Sequence, residues 1–138
     1  MPDPEIEAHI VETVEMLLDP LREAWESYCN NKGFGSPAIR INSGYRSRKL
    51  NKLVAGPSTS AHCYGYAFDL VPLNGCMKEF KAFCRDFLSD KDFDQLISRN
   101  ENSAGVPDWI HVCYKHPNQV QRKQYLSMID GKFYPMTK

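Results

Sequence analysis

The chain has 138 residues, 42% apolar and 25% charged, which fits one soluble domain with a single core. Its 17 basic and 17 acidic residues cancel, which excludes broad electrostatic binding to nucleic acid and a basic membrane-surface helix. No apolar run reaches the ~18 residues that span a bilayer, and the acidic start Met1-Pro2-Asp3-Pro4-Glu5 is unlike a secretory signal.

In chain order, Ile6, Ile10, Val14, Leu17, Leu21, Trp25 and Tyr28 recur at helical spacing over residues 5–29. Asp19-Pro20 reads as an N-cap and a first-turn proline, so two helices or one kinked helix are expected, ended by Asn30-Asn31-Lys32-Gly33. Residues 38–42 alternate as a short strand. A short helix over 48–54 and a turn-rich loop over 55–60 follow. A strand over 66–71 ends at Pro72 and Asn74-Gly75. An amphipathic helix over 76–88 places Met77, Phe80, Phe83, Cys84 and Phe87 on its apolar side. Strands are expected over 93–97 and 109–114, with a polar connection over 99–106. Asp130-Gly131 is a two-residue hairpin turn between 125–129 and 132–134. The order implies an α+β fold, a mainly antiparallel sheet with helices packed on one face, in one domain over 1–138. No phosphate-binding glycine motif occurs, so a nucleotide site has no support.

Cys29, Cys63, Cys76, Cys84 and Cys113 are odd in number and form no C-x-x-C pair, so reduced and mostly buried thiols are expected. The chemistry concentrates elsewhere. His62-x-x-Gly65-x-x-x-Asp69 sets an imidazole and a carboxylate either side of a glycine that lets the chain turn back. Such a pair reads either as a plain hydrogen bond or as two ligands for zinc. His111 alternates with Trp109 and Cys113 along its strand. It is either a core histidine or a third ligand that leaves one position open, as a catalytic zinc requires. His116, before Pro117, is expected to be exposed. Asp108 is three residues before His111, so it must lie on a loop or bulge to face the same cavity. It is either a turn aspartate or a proton shuttle. Arg46 is a solvated charge or a grip for a carboxylate or oxyanion.

Three ordered motifs, Ser43-Gly44-Tyr45-Arg46, Ser60-x-His62-x-x-Gly65-x-Ala67-x-Asp69 and Asp108-Trp109-x-His111, resemble those of the zinc D-Ala-D-Ala carboxypeptidase family. That family includes vancomycin-resistance dipeptidases and phage L-alanyl-D-glutamate endopeptidases. Asp19-Pro20-Leu21-Arg22 and residues 93–97 resemble its framework segments, so the likeness spans roughly residues 15–130 and is closest to the small single-domain branch. The resemblance implies a fold shared with the hedgehog signalling domain and a Zn2+ held by His62, Asp69 and His111. It also implies Asp108 as general base and acid, Arg46 as a catalytic and substrate-binding group, and Ser60 as a substrate or loop contact. This chain departs from it where many relatives carry glutamate in place of Asp108, and where some carry a histidine at the place of Val106. Cys63 follows the first ligand, but adjacent residues seldom share one ion.

The function so implied is zinc-dependent hydrolysis of amide bonds in peptidoglycan stem peptides, of the carboxypeptidase type or as a phage-type endopeptidase. A non-catalytic zinc module and a metal-free interaction domain are the other classes. A monomer is expected, with no nucleic-acid or membrane partner. It would be cytoplasmic as synthesised and reach the wall by phage-mediated release.

Overall fold

The computed structural model describes residues 4–43 and 65–136. The first helical stretch consists of consecutive segments, α1 (Pro4–Thr13), a π-helical turn (Val14–Leu18) and α2 (Asp19–Lys32), with Pro20 in the first turn of α2 as expected. The expected N-cap at Asp19 is not formed. Asp19 has helical φ −63° and ψ −46°, and its N–H reaches back to the carbonyl of Val14. The physical reason is the π turn: widening the helix just ahead of Pro20 accommodates a residue that has no N–H and a bulky ring. Gly33 ends α2 as expected, in the left-handed region at φ 70°, with its N–H on the carbonyl of Cys29.

The strands are β1 (Ile39–Ser43), β2 (Ala67–Pro72), β3 (Gln95–Arg99), β4 (Trp109–Cys113), β5 (Gln124–Ile129) and β6 (Lys132–Pro135). Between β2 and β3 lie α3 (Met77–Phe87) and one 3-10 turn (Leu88–Asp90). Among the described residues the sheet has six strands in the order β1-β2-β4-β3-β5-β6. Only the β3–β5 pair is parallel, so the fold is α+β with a mostly antiparallel sheet. The β5–β6 hairpin turns at Asp130 and Gly131, with φ of 50° and 76°, the paired positive values of a type I′ turn.

Alternation divides the sheet. Phe68 and Leu70 of β2, Leu96 of β3 and Ile110 and Val112 of β4 join Leu21 and Trp25 of α2 and Phe80 and Cys84 of α3 in one core. The Trp25 ring meets Phe80 edge-on at 5.0 Å. Burying side chains of this size contributes about 1.5–3 kcal/mol each, so this layer holds the helices to one face. The residues between them, Asp69 and His111 among them, point to the other face. Cys29, Cys84 and Cys113 are buried free thiols and Cys76 is half-buried. Among the described residues no helix is long and apolar enough to cross a membrane.

Candidate metal centre

β2 and β4 are interior neighbours, and their register sets Asp69 directly opposite His111. Directly opposed residues share a face, so the side chains meet. His111 Nδ1 lies 2.9 Å from Asp69 Oδ1, with the side chains 11% and 16% exposed. The pair is therefore largely, though not wholly, withdrawn from bulk water. His111 is also paired with Ile97 of β3, whose buried side chain walls the histidine on its far flank.

The donor set suits a divalent cation of borderline character. An imidazole nitrogen and a carboxylate oxygen on one zinc ion, each about 2.0–2.2 Å from it, lie roughly 3.3 Å apart. The observed 2.9 Å needs only a few tenths of an ångström of opening to fit. Among the described residues no third ligand joins them. The expected third ligand, His62, lies outside the described residues, as do Arg46, Ser60 and Cys63.

The described chain resumes at Gly65, four residues before Asp69, and is seated there against α1. Gly65 has φ 79°, and a Cβ there would lie 2.8 Å from Ile10 Cγ1 and 3.0 Å from the carbonyl of Ile6. Only a glycine lets α1 sit this close. Thr13, fully buried, completes the seat: its Oγ1 lies 2.8 Å from the His9 carbonyl and 3.2 Å from the Gly65 carbonyl, so one hydroxyl proton is shared between them. His9 stacks on Tyr66 with ring centroids 4.3 Å apart. Thr13 carried one signal in the sequence, its place on the Ile6–Ile10 face of the helix.

Asp108 lies where the same-cavity reading required, on the connection just before β4 rather than in the strand. Its N–H donates to the carbonyl of Arg99 at 2.9 Å, and its side chain is exposed. Beside it, the Arg99 guanidinium lies over the Trp109 ring, 5.7 Å from its centroid. His116 differs from the expectation of exposure. It is half-buried because it organises the turn that follows, accepting at Nδ1 from Asn118 N–H and at its carbonyl from Gln119 N–H. Cys113, on the His111 face, is buried, and desolvation pushes its thiol far above the ordinary range. It stays a protonated core group.

The structure thus joins Asp69 to His111 and sets Asp108 at the head of the His111 strand. No curated protein matches the chain. The model of the family described as Peptidase M15 matches residues 11–112, most of the chain and all three motifs that carry the candidate residues.

Proposed function

Since the chain belongs to the peptidase M15 family, and is thereby a metallopeptidase by descent, we propose that it hydrolyses amide bonds in peptidoglycan stem peptides with a bound Zn2+. The observation that supports this reading is the cross-strand contact of Asp69 with His111 at 2.9 Å, on the sheet face opposite the Phe68, Leu70, Ile110 and Val112 side chains that pack against α2 and α3. In this reading residues 1–138 form one zinc peptidase domain acting as a single chain.

His62, Asp69 and His111 hold the ion. When bound, it supplies Lewis-acid polarisation of a substrate carbonyl and lowers the pKa of water at the site. Asp108 takes a proton from the attacking water and delivers it to the leaving amine nitrogen. Its exposure suits a group that must exchange protons with solvent between turnovers. Arg46 grips a substrate carboxylate or stabilises developing negative charge, and Ser60 hydrogen-bonds the substrate or its own loop. Removal of a terminal D-Ala is the first form of the reaction; endopeptidase cleavage within the stem is the second.

The test is incubation of the zinc-loaded protein with purified muropeptides, read by mass spectrometry, with and without a chelator. The expected result is loss of one D-Ala or a cut within the stem, abolished by chelation and restored by zinc. Asp108→Asn keeps the metal and slows cleavage by about 10²–10⁴-fold. No cleavage by zinc-loaded protein overturns the function, and a fully active Asp108→Asn overturns that residue's role.

A further inference from the structure

Lys81 and Glu101 form the most deeply buried ion pair among the described residues, with side chains 5% and 1% exposed and Nζ 2.9 Å from Oε2. Withdrawing two charges from water gains little stability over an apolar pair of the same size, but it does select one arrangement. The arrangement selected here is the path of residues 100–108, the connection that ends in Asp108.

The ties are specific. Lys81 Nζ, from α3, also donates to the carbonyl of Gly105 at 3.0 Å. Ser127, from β5, donates to the same Glu101 Oε2 at 2.8 Å. The Glu101 N–H bonds the Met128 carbonyl at 2.9 Å. From there Asn102 Oδ1 accepts from the N–H groups of Ala104 and Val106, and the Asn102 and Val106 backbones bond each other. The connection closes where Asp108 N–H reaches the Arg99 carbonyl. A cavity of about 370 Å3 is lined by Lys81, Ala82 and Arg85 of α3 and by Ala104 and Gly105 of the connection. Lys81 bridges it.

We propose that Lys81 and Glu101 are positioning residues for Asp108: they act through the 100–108 backbone, from the helix side of the sheet, to set where the Asp108 carboxylate stands. This rests on the reading of Asp108 as the proton shuttle. A proton-transfer group displaced by about 1 Å can cost on the order of 10²-fold in rate while leaving substrate binding intact.

The test compares wild type, Asp108→Asn and the double variant Lys81→Met/Glu101→Gln, which removes both charges yet keeps an acceptor for Ser127. In the double variant we expect bound zinc unchanged and Tm within about 3 °C. We expect kcat on muropeptide to fall about tenfold or more with KM within about twofold, and amide exchange over residues 102–108 to quicken about tenfold. A pair that only holds the fold together would lower Tm and leave kcat of the folded fraction alone. Wild-type kcat in the double variant, with Asp108→Asn inactive, overturns the inference and leaves the function standing. If wild type cuts no muropeptide, the function fails, and the exchange rates still decide: unchanged protection over 102–108 overturns the positioning. Should the double variant not fold, Ser127→Ala carries the test, with about a threefold fall in kcat expected and wild-type kcat and exchange contradicting it.

Discussion

At the scale of single residues, glycine 65 shows how the approach of α1 to the start of β2 depends on a position with no chemistry of its own. Two demands coincide there, a φ of 79° and an approach by α1 that leaves no room for a Cβ. Gly33 makes a useful contrast, since it has φ 70° but nothing within 4 Å of the place a Cβ would take. Alanine at 33 meets only the conformational cost, about 1 kcal/mol, whereas alanine at 65 adds overpacking against Ile10 and should cost about 2–4 kcal/mol in all. Urea denaturation of Gly33→Ala and Gly65→Ala checks this. Equal midpoints would mean that α1 yields freely and does not brace the chain at Gly65. Thr13 belongs to the same seat, because its hydroxyl is the one polar side-chain tie from α1 to the Gly65 carbonyl among the described residues.

At the scale of elements, a buried carboxylate decides how the parallel strand is added. Asp94 precedes β3 and is 1% exposed. It accepts from Arg122 Nε at 2.7 Å, Nη2 at 2.8 Å and the Arg122 N–H at 3.0 Å, which fixes the chain just before β5. Burial alone would push its carboxyl up, but the Arg122 hydrogen bonds outweigh burial and hold it below the ordinary carboxylate range. A carboxyl lowered in the folded state stabilises the fold above its unfolded pKa, about 3.9, and that contribution is lost as pH falls through the lower, folded value. Urea midpoints measured from pH 7 to pH 3 should therefore drop below about pH 4 in wild type. Asp94→Asn should be less stable at pH 7 and show a shallower acid decline. Parallel curves would remove Asp94 from the account.

The elements also show which kinds of information a sequence carries. β-Branched and aromatic composition located β2, alternation marked β4, and Asp130-Gly131 located the hairpin, because all three signals are local. Asp19-Pro20 was legible for the proline, which lies in the first turn of α2, but not for the cap, because a π turn continues the helical hydrogen bonding up to Asp19. Lys81 was illegible. It follows Phe80 on a helix where a lysine ordinarily reaches solvent, and its partner is 20 residues away across a connection. Asp69 and His111 were legible as residues, but their meeting depends on a strand register that no local pattern states.

At the scale of the whole molecule, the sheet separates two tasks. The helices cover one face with aromatic and aliphatic side chains, and the central strands β2 and β4 carry the polar pair on the other. The scaffold under the candidate metal ligands is therefore the interior of a six-stranded sheet, held on both sides by neighbouring strands. Ligands on such strands are set by ladder hydrogen bonds rather than by loop conformation, which favours a preorganised site. The measurement that bears most directly on this account is zinc content by elemental mass spectrometry. Purified wild type and His111→Ala would each be equilibrated with equimolar zinc and then desalted. The account predicts one zinc per chain in wild type and almost none in a folded His111→Ala. A wild-type chain that retains no zinc, or a His111→Ala chain that retains as much as wild type, would contradict it.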